Sequence, residues 1–362
     1  EAVGRSSARP ASVVALGILA RWASKTRSGD IAGGDFPAWL TSLIGFRDTL
    51  GLADRRGECI YSACSHYNKC FIERTVRQAR RADIVVTNHA LVITQAALGG
   101  LDDASAPNRI VFDEGHHIFD SANSVFSSEL SGRQGAELRR WLLGAENATR
   151  SRTRGLRRRI SDLIARDHAM EEIMEELKNA AQCLPRTGWT SHLNDLQRPR
   201  GTVEKFLTLV HKQVYARAKN SRTPYDLEAD THPPIDGLHD AAVEAENSLA
   251  ELSQPIKALI TRLNHLLDAE ADNLDTHTRQ RIEAASRALA RRAEGEIDAW
   301  RSMLDALQNV VPEEFVDWFS VSREQGRDLD AAMHRHWVDP TIPFAQFGLL
   351  PTHGAVITSA TL

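Results

Sequence analysis

Residues 109–119 read Arg109-Ile-Val-Phe-Asp-Glu-Gly-His-His-Ile-Phe119, a short apolar run that ends in Asp113, Glu114 and His116. Nucleotide hydrolysis needs such a carboxylate pair: one carboxylate holds the magnesium ion of the nucleotide, and its neighbour orients or deprotonates the attacking water. Both acids just past a strand also fit the rule that ligands of open parallel sheets bind outside the carboxyl ends of the strands. Two acids after a strand equally suit a solvated turn. The rest of the sequence has to decide.

Two further segments share the pattern. In Ala82-Asp-Ile-Val-Val-Thr-Asn-His-Ala-Leu91, the β-branched run Ile84–Thr87 predicts a strand buried on both faces, ending in Asn88 and His89. In Gly354-Ala-Val-Ile-Thr-Ser-Ala-Thr-Leu362, another apolar run leads into hydroxyls at Thr358, Ser359 and Thr361. Three buried strands that each deliver polar groups at the same end describe one face of a nucleotide-binding sheet. The predicted fold class is mixed α/β and predominantly helical.

Composition places the chain among ordinary soluble proteins, with 42% hydrophobic and 25% charged residues in 362. That length holds two or three domains. No run approaches the roughly 18 apolar residues of a membrane span; Val13–Ala20 is the longest and falls far short. A membrane partner is therefore not expected. The chain starts at Glu1 without a methionine and stops at Leu362 inside the third segment, which predicts a fragment of a longer protein. Residues 133–166 are strongly basic and residues 226–251 strongly acidic.

Cys59, Cys64 and Cys70 lie within Gly57-Glu-Cys-Ile-Tyr-Ser-Ala-Cys-Ser-His-Tyr-Asn-Lys-Cys-Phe71. Clustered thiols without a disulfide framework point to a metal centre in a reducing compartment. Zinc would take four ligands, with His66 as the fourth. An iron–sulfur cluster as a rule takes four cysteines, and only three are near. Residue types alone leave both open. Cys183, far along the chain in a predicted helix, reads as a packed core residue. After the cysteines, Arg74, Arg77 and Arg81 fall on one helical face beside Tyr61, Tyr67 and Phe71. Guanidinium groups next to aromatics suit a single strand of nucleic acid, and they equally suit a solvated helix face.

Helical spacing marks residues 11–27 and Phe36–Leu50, then Gln134–Leu143, Leu156–Leu184, Val203–Lys219, Leu238–Leu267 and Thr276–Leu307. Phe315–Val321 and the stretch around Trp337–Pro340 read as extended and predict a small sheet. The six arginines between Arg150 and Arg159 either meet phosphates or pair with the acids at 171–176 or 226–251. The solvated, paired reading is favoured.

The box Asp-Glu-Gly-His at 113–116, the segment 83–92 and Thr-Ser-Ala-Thr-Leu at 358–362 together resemble motifs of superfamily 2 helicases of the DinG/XPD group. The family's own box is DEAH, so Gly115 departs from it. The cysteine spacing also looks like that of DinG-type helicases, which hold a 4Fe–4S cluster with one further cysteine upstream. The resemblance implies a partial RecA-like parallel sheet with an iron–sulfur domain and a large helical Arch-type insert. The corresponding boundaries are 1–81 for part of the iron–sulfur domain, 82–125 for the first part of motor domain 1, 126–336 for the insert and 337–362 for the return to the motor.

On that resemblance, Asp113 holds magnesium, Glu114 activates water, and His116, Asn88, His89, Ser359 and Thr361 couple hydrolysis to movement on DNA. Cys59, Cys64 and Cys70 hold the cluster, while Arg74, Arg77 and Arg81 meet DNA. The implied protein is an ATP-dependent, 5′-to-3′ DNA helicase of the bacterial cytoplasm. It acts as a monomer on single-stranded or forked DNA in repair or replication. The alternative is a non-enzymatic nucleic-acid-binding protein with a structural zinc site. A phosphate-cradling loop reads Gly-x4-Gly-Lys-Ser/Thr. The nearest match, Lys25-Thr26, has Leu19 and Ser24 where the glycines belong, so the sequence lacks it. The second motor domain with its arginine is likewise not recognised, which predicts that these residues alone are inactive.

Overall fold

Apolar spacing of three and four residues becomes helix along most of this chain, and two separate sheets interrupt it. The computed structural model describes residues 10–30, 35–36, 66–99, 107–144, 155–165, 167–186, 188–189, 191, 193, 199–218, 223–270, 273–309, 312–324 and 326–360. In chain order the main elements begin with α1 (Pro10–Lys25), α2 (Phe71–Ala79), α3 (His89–Ala97), β1 (Arg109–Phe112), α4 (Ile118–Phe126) and β2 (Ser128–Ser131). There follow α5 (Gly132–Leu143), α6 (His168–Ala180), α7 (Thr202–Arg217), β3 (Leu227–Asp230) and α8 (Leu238–Ala269). The last are α9 (Thr276–Ala290), α10 (Asp298–Ala306), β4 (Phe315–Glu324), β5 (Arg327–Trp337) and β6 (Gly354–Ile357). No described helix is long and apolar enough to cross a membrane.

The chain divides into two compact units, residues 1–85 with 274–285, and residues 86–273 with 286–362. In the first unit, Trp22 of α1 meets the Phe36 ring edge-on at 5.0 Å and donates to Asp35 Oδ1 at 2.8 Å. The loop after α1 reaches α2 through Gly29, at φ +70°, where a β-carbon would lie 2.4 Å from the Phe71 ring. The Arg74 guanidinium also donates to the Arg27 carbonyl.

The larger unit holds a four-stranded antiparallel sheet in the order β2-β5-β4-β3. Helices α7, α8 and α10 complete its core: Phe206 meets Phe319 at 6.3 Å, and Trp300 Nε1 donates to the Glu129 carbonyl at 2.7 Å. The buried positions of α8 include Leu238, Ala242, Ala245, Leu249, Leu252, Ile256, Leu259 and Leu263, a continuous stripe of three- and four-residue steps. The same unit holds a two-stranded parallel sheet in which β1 pairs β6 with Phe112 opposite Ile357. Beneath it Ile93, Phe112, Ile118, Ala122 and Phe344 form a small core.

Several expectations from sequence need correction. Ile84–Thr87 forms no strand, and Ile84 and Val86 are 82% and 93% exposed. A β-branched run favours a pleated surface, but burial needs a neighbour, and no described strand pairs with this one. β1 and β6 do form and run parallel, yet they are not buried on both faces: Val111 is 69% and Val356 56% exposed, while Phe112 is buried. The extended stretch near Trp337–Pro340 is the end of β5, followed by a helical turn at Thr341–Phe344. The predicted helix Phe36–Leu50 lies outside the described residues from 37 onward. Cys183 sits in a short turn after α6, and burial pushes its thiol up to about 12, as suits a packed, unreactive residue.

Of the arginine run, Arg157 pairs with Glu171 at 3.3 Å and with Glu175. For Arg157 that is the paired, solvated arrangement favoured from the sequence; residues 150–154 and the side chains of 158 and 159 lie outside the described set.

Candidate active site at the ends of two parallel strands

Parallel strands in register end side by side, and here that brings together residues far apart in sequence. Phe112 is opposite Ile357, so Asp113 and Thr358 emerge as neighbours. The ladder continues one step beyond the strands: Thr358 N donates to the Phe112 carbonyl at 2.8 Å, and Gly115 N donates to the Thr358 carbonyl at 2.8 Å. The Thr358 hydroxyl donates to Asp113 Oδ1 at 2.9 Å, and Glu114 N approaches the same oxygen at 3.1 Å. Asp113 Oδ2 takes no hydrogen bond among the described residues.

Between these anchors the backbone turns sharply. Glu114 has φ 53° and ψ 54°, the only non-glycine in the left-handed region among the described residues. That conformation costs about 1–2 kcal/mol for an L-residue, and it persists because hydrogen bonds hold the residues on both sides. The turn Gly115–His117 then leads into α4. It presents His116 with Nδ1 3.2 Å from Ser359 Oγ and 3.3 Å from Glu114 Oε2. A proton on Nδ1 would serve either oxygen, and the serine hydroxyl adapts to the tautomer. Both Glu114 and His116 are open to solvent, with side chains 57% and 41% exposed.

Beneath the site, His89 at the start of α3 meets the Phe112 ring at 5.8 Å, and Phe344 meets that ring edge-on at 5.5 Å. Burying Phe112 stabilises this platform by about 1.5–3 kcal/mol. Asn88 caps α3, its side-chain oxygen accepting from Leu91 N at 2.9 Å.

Asp113, Glu114, His116 and Ser359 thus share one site, with His89 packed directly behind it and Asn88 next to His89 in the helix cap. Thr361 lies outside the described residues. Thr358, which the sequence offered only as one hydroxyl among several, is the residue that holds Asp113. Equal counting along two strands that each end one residue before a polar group was the available signal. The donor set suits magnesium: a hard cation takes oxygen ligands, keeps most of its waters and uses only one or two carboxylates. Among the described residues, no group of three or more His, Cys, Asp or Glu side chains is placed to hold a metal ion by itself.

In the other unit, Cys70 is the only proposed cluster ligand among the described residues; Cys59 and Cys64 lie outside them. Cys70 stands at the N-cap of α2 and lines a pocket of about 270 Å³ together with Tyr67, Lys69, Arg74, Arg77 and Arg81. The three arginines expected on one face are therefore brought together. Arg77 stacks over Tyr67 at 4.6 Å and donates to Glu73 Oε1 at 2.7 Å, and the Tyr67 hydroxyl donates to the same oxygen at 2.9 Å. Desolvation acts to raise the Glu73 carboxyl, but these hydrogen bonds win and hold it below the usual range.

No protein-family profile matches the chain. It is similar to the ATP-dependent helicase DinG of Mycobacterium tuberculosis strain H37Rv, 35% identical over 132 residues, which are 34% of this chain and 18% of that protein. It is also similar to the ATP-dependent DNA helicase YoaA of Escherichia coli K12, 29% identical over 127 residues, 32% of this chain and 18% of the relative. YoaA of Haemophilus influenzae is 34% identical over 80 residues, 21% of this chain and 12% of that protein. The chain spans about 18% of the length of the first two relatives it matches. These similarities support a DinG-like helicase family and do not favour the non-enzymatic zinc-binding alternative.

Proposed function

We propose that this chain is part of the motor of an ATP-dependent DNA helicase of the DinG type. The observation that carries the reading is the joining of two segments 245 residues apart through Thr358 Oγ1 and Asp113. One segment holds the acidic box, the other the hydroxyl-rich Thr358–Ser359 end. Asp113, oriented by Thr358, would hold the magnesium ion of the nucleotide. Glu114 orients and deprotonates the attacking water. His116, between Glu114 and Ser359, links the hydrolytic carboxylate to the second segment, and Asn88, His89 and Thr361 join it in coupling hydrolysis to movement. Bound magnesium would offset negative charge on the phosphate oxygens.

The remaining assignments rest on the cysteine and arginine patterns and on the similarity. Cys59, Cys64 and Cys70, with one further cysteine from outside these residues, hold a 4Fe–4S cluster in a domain over 1–81. Arg74, Arg77 and Arg81 meet the phosphates of single-stranded or forked DNA. The motor comprises 82–125 and 337–362, and residues 126–336 form an Arch-type insert. The protein moves 5′ to 3′ as a monomer in the bacterial cytoplasm, in repair or replication. Since the sequence lacks a phosphate-cradling loop, that loop and a transition-state arginine come from sequence outside it. Residues 1–362 alone then hydrolyse no ATP.

Magnesium-dependent, DNA-stimulated ATP hydrolysis by the full-length protein tests the reading. Glu114→Gln keeps size and hydrogen bonding but removes the base, so turnover drops by on the order of 10²–10⁴-fold while nucleotide binding persists. A Glu114→Gln enzyme with wild-type turnover, or robust turnover by residues 1–362 alone, overturns the assignment. Anaerobic purification yields iron and sulfide; stoichiometric zinc without iron overturns the cluster.

A further inference from the structure

Gly115 is not required by its backbone. Its φ lies outside the left-handed region, unlike that of its neighbour Glu114. It is required by space: a β-carbon on Gly115 would lie 2.4 Å from Ile357 Cγ2, 3.4 Å from the Thr358 carbonyl oxygen and 3.8 Å from Ile118 Cδ1. The first distance is far inside van der Waals contact. Ile357 Cγ2 is not the end of a flexible chain, because a β-branched residue is stiff at χ1. Its strand is in turn fixed to β1 through the ladder and the two backbone bonds beyond it. Relief therefore means moving β6 or turning Ile357 out of its rotamer. The residues that would move next are Thr358 and Ser359, the partners of Asp113 and His116.

We infer that Gly115 and Ile357 are a matched pair, with Ile357 filling the space an alanine would need in the box, and that together they set the position of Glu114 and His116 against the Thr358–Ser359 segment. Both are positioning residues for hydrolysis, an inference that rests on the helicase reading above. An alanine at position 115 fits beside this strand only if residue 357 gives up its space. Ile357 is 37% exposed, so shortening it sacrifices limited buried surface.

The test measures ATP turnover and KM in the full-length protein for wild type, Gly115→Ala, Ile357→Ala, the double variant and Glu114→Gln. Gly115→Ala lowers kcat by on the order of tenfold or more, since ångström-scale misplacement of a catalytic group costs up to about 100-fold. KM for ATP changes far less. Ile357→Ala alone lowers kcat by a smaller factor, and the double variant recovers most of the loss. Wild-type kcat in Gly115→Ala, or a double variant as slow as Gly115→Ala, overturns the pairing. If Gly115→Ala does not fold, a folded and active double variant supports the pair, and a double variant that also fails to fold overturns it. Glu114→Gln separates the two questions: if it stays active, the helicase reading fails, whereas an inactive Glu114→Gln beside a fully active Gly115→Ala sinks only the pairing.

Discussion

The two sheets of the larger unit solve burial in opposite ways. The four-stranded sheet packs one face against helices and places even its charges in satisfied, enclosed positions. Arg335 donates twice to Asp317, at 2.8 and 2.6 Å, and once to Ser302 at 3.0 Å. Asp330 accepts from the backbone of Gly132 and Arg133, both at 3.0 Å, and from Trp189 Nε1 at 2.6 Å. Gly132 makes this possible, because a β-carbon there would sit on the indole nitrogen. The two-stranded parallel sheet leaves Val111 and Val356 largely exposed and carries its polar groups at its open end. One sheet is held by its own core. The other rests on the small core around Phe112 and a short ladder, and it carries the candidate site. Functional groups tend to occupy the less stable parts of a structure.

That contrast can be broken most directly with paired truncations. Phe319→Ala removes a fully buried ring from the four-stranded sheet and is expected to cost about 3–5 kcal/mol, read by urea denaturation of the chain. Val111→Ala, in the exposed face of β1, is expected to stay within about 0.5 kcal/mol. Equal losses at the two positions would show that the two sheets are not held differently.

A smaller effect is expected at Asp330. Burial, opposed by its donors, pushes its carboxyl above the ordinary value. Asp330→Ala strands the backbone donors and the Trp189 indole, and an unsatisfied buried group costs about 1–3 kcal/mol. The pH dependence has a definite sign. A raised carboxyl favours the folded state below its unfolded pKa and loses that contribution as pH rises through the folded value. The difference between wild type and Asp330→Ala therefore narrows from acid toward neutral pH. A difference that widens over that range would show that the donors outweigh burial.

An effect at the low end of the Asp330 range is expected at Asp167, which caps α6 and pairs with Arg262 at 2.5 Å. The hydrogen bond from Arg262 leads the causes that lower its carboxyl below 3.8. Its contribution is therefore present above about pH 4 and is lost as pH falls through the depressed folded value. Asp167→Asn is expected to cost about 1 kcal/mol at pH 7, a difference that shrinks in denaturation at pH 3. A pH-independent difference would assign the effect to the cap alone.

Much of this was legible locally. Helical periodicity anticipated α5, α7, α8 and the run beginning with α9, and the apolar runs anticipated β1, β6 and most of β4. β2 and β3 were not anticipated: Ser128–Ser131 and Leu227–Asp230 are four-residue segments, three-quarters and half polar, too short for an alternation to stand out. They are strands because β5 and β4 offer them an edge. Ile84–Thr87 failed in the opposite direction, with a strong local preference and no strand beside it among the described residues.

The residue types by themselves determined which groups were on offer, a carboxylate pair, an imidazole and a hydroxyl-rich end, because those side chains carry their protons and charges wherever they stand. Only the tertiary structure decided which hydroxyl holds Asp113, that Glu114 sits in a strained turn, and that position 115 has no room for a methyl group. Nothing local couples residues 243 and 245 positions apart. They meet because two parallel strands in register must end at the same level.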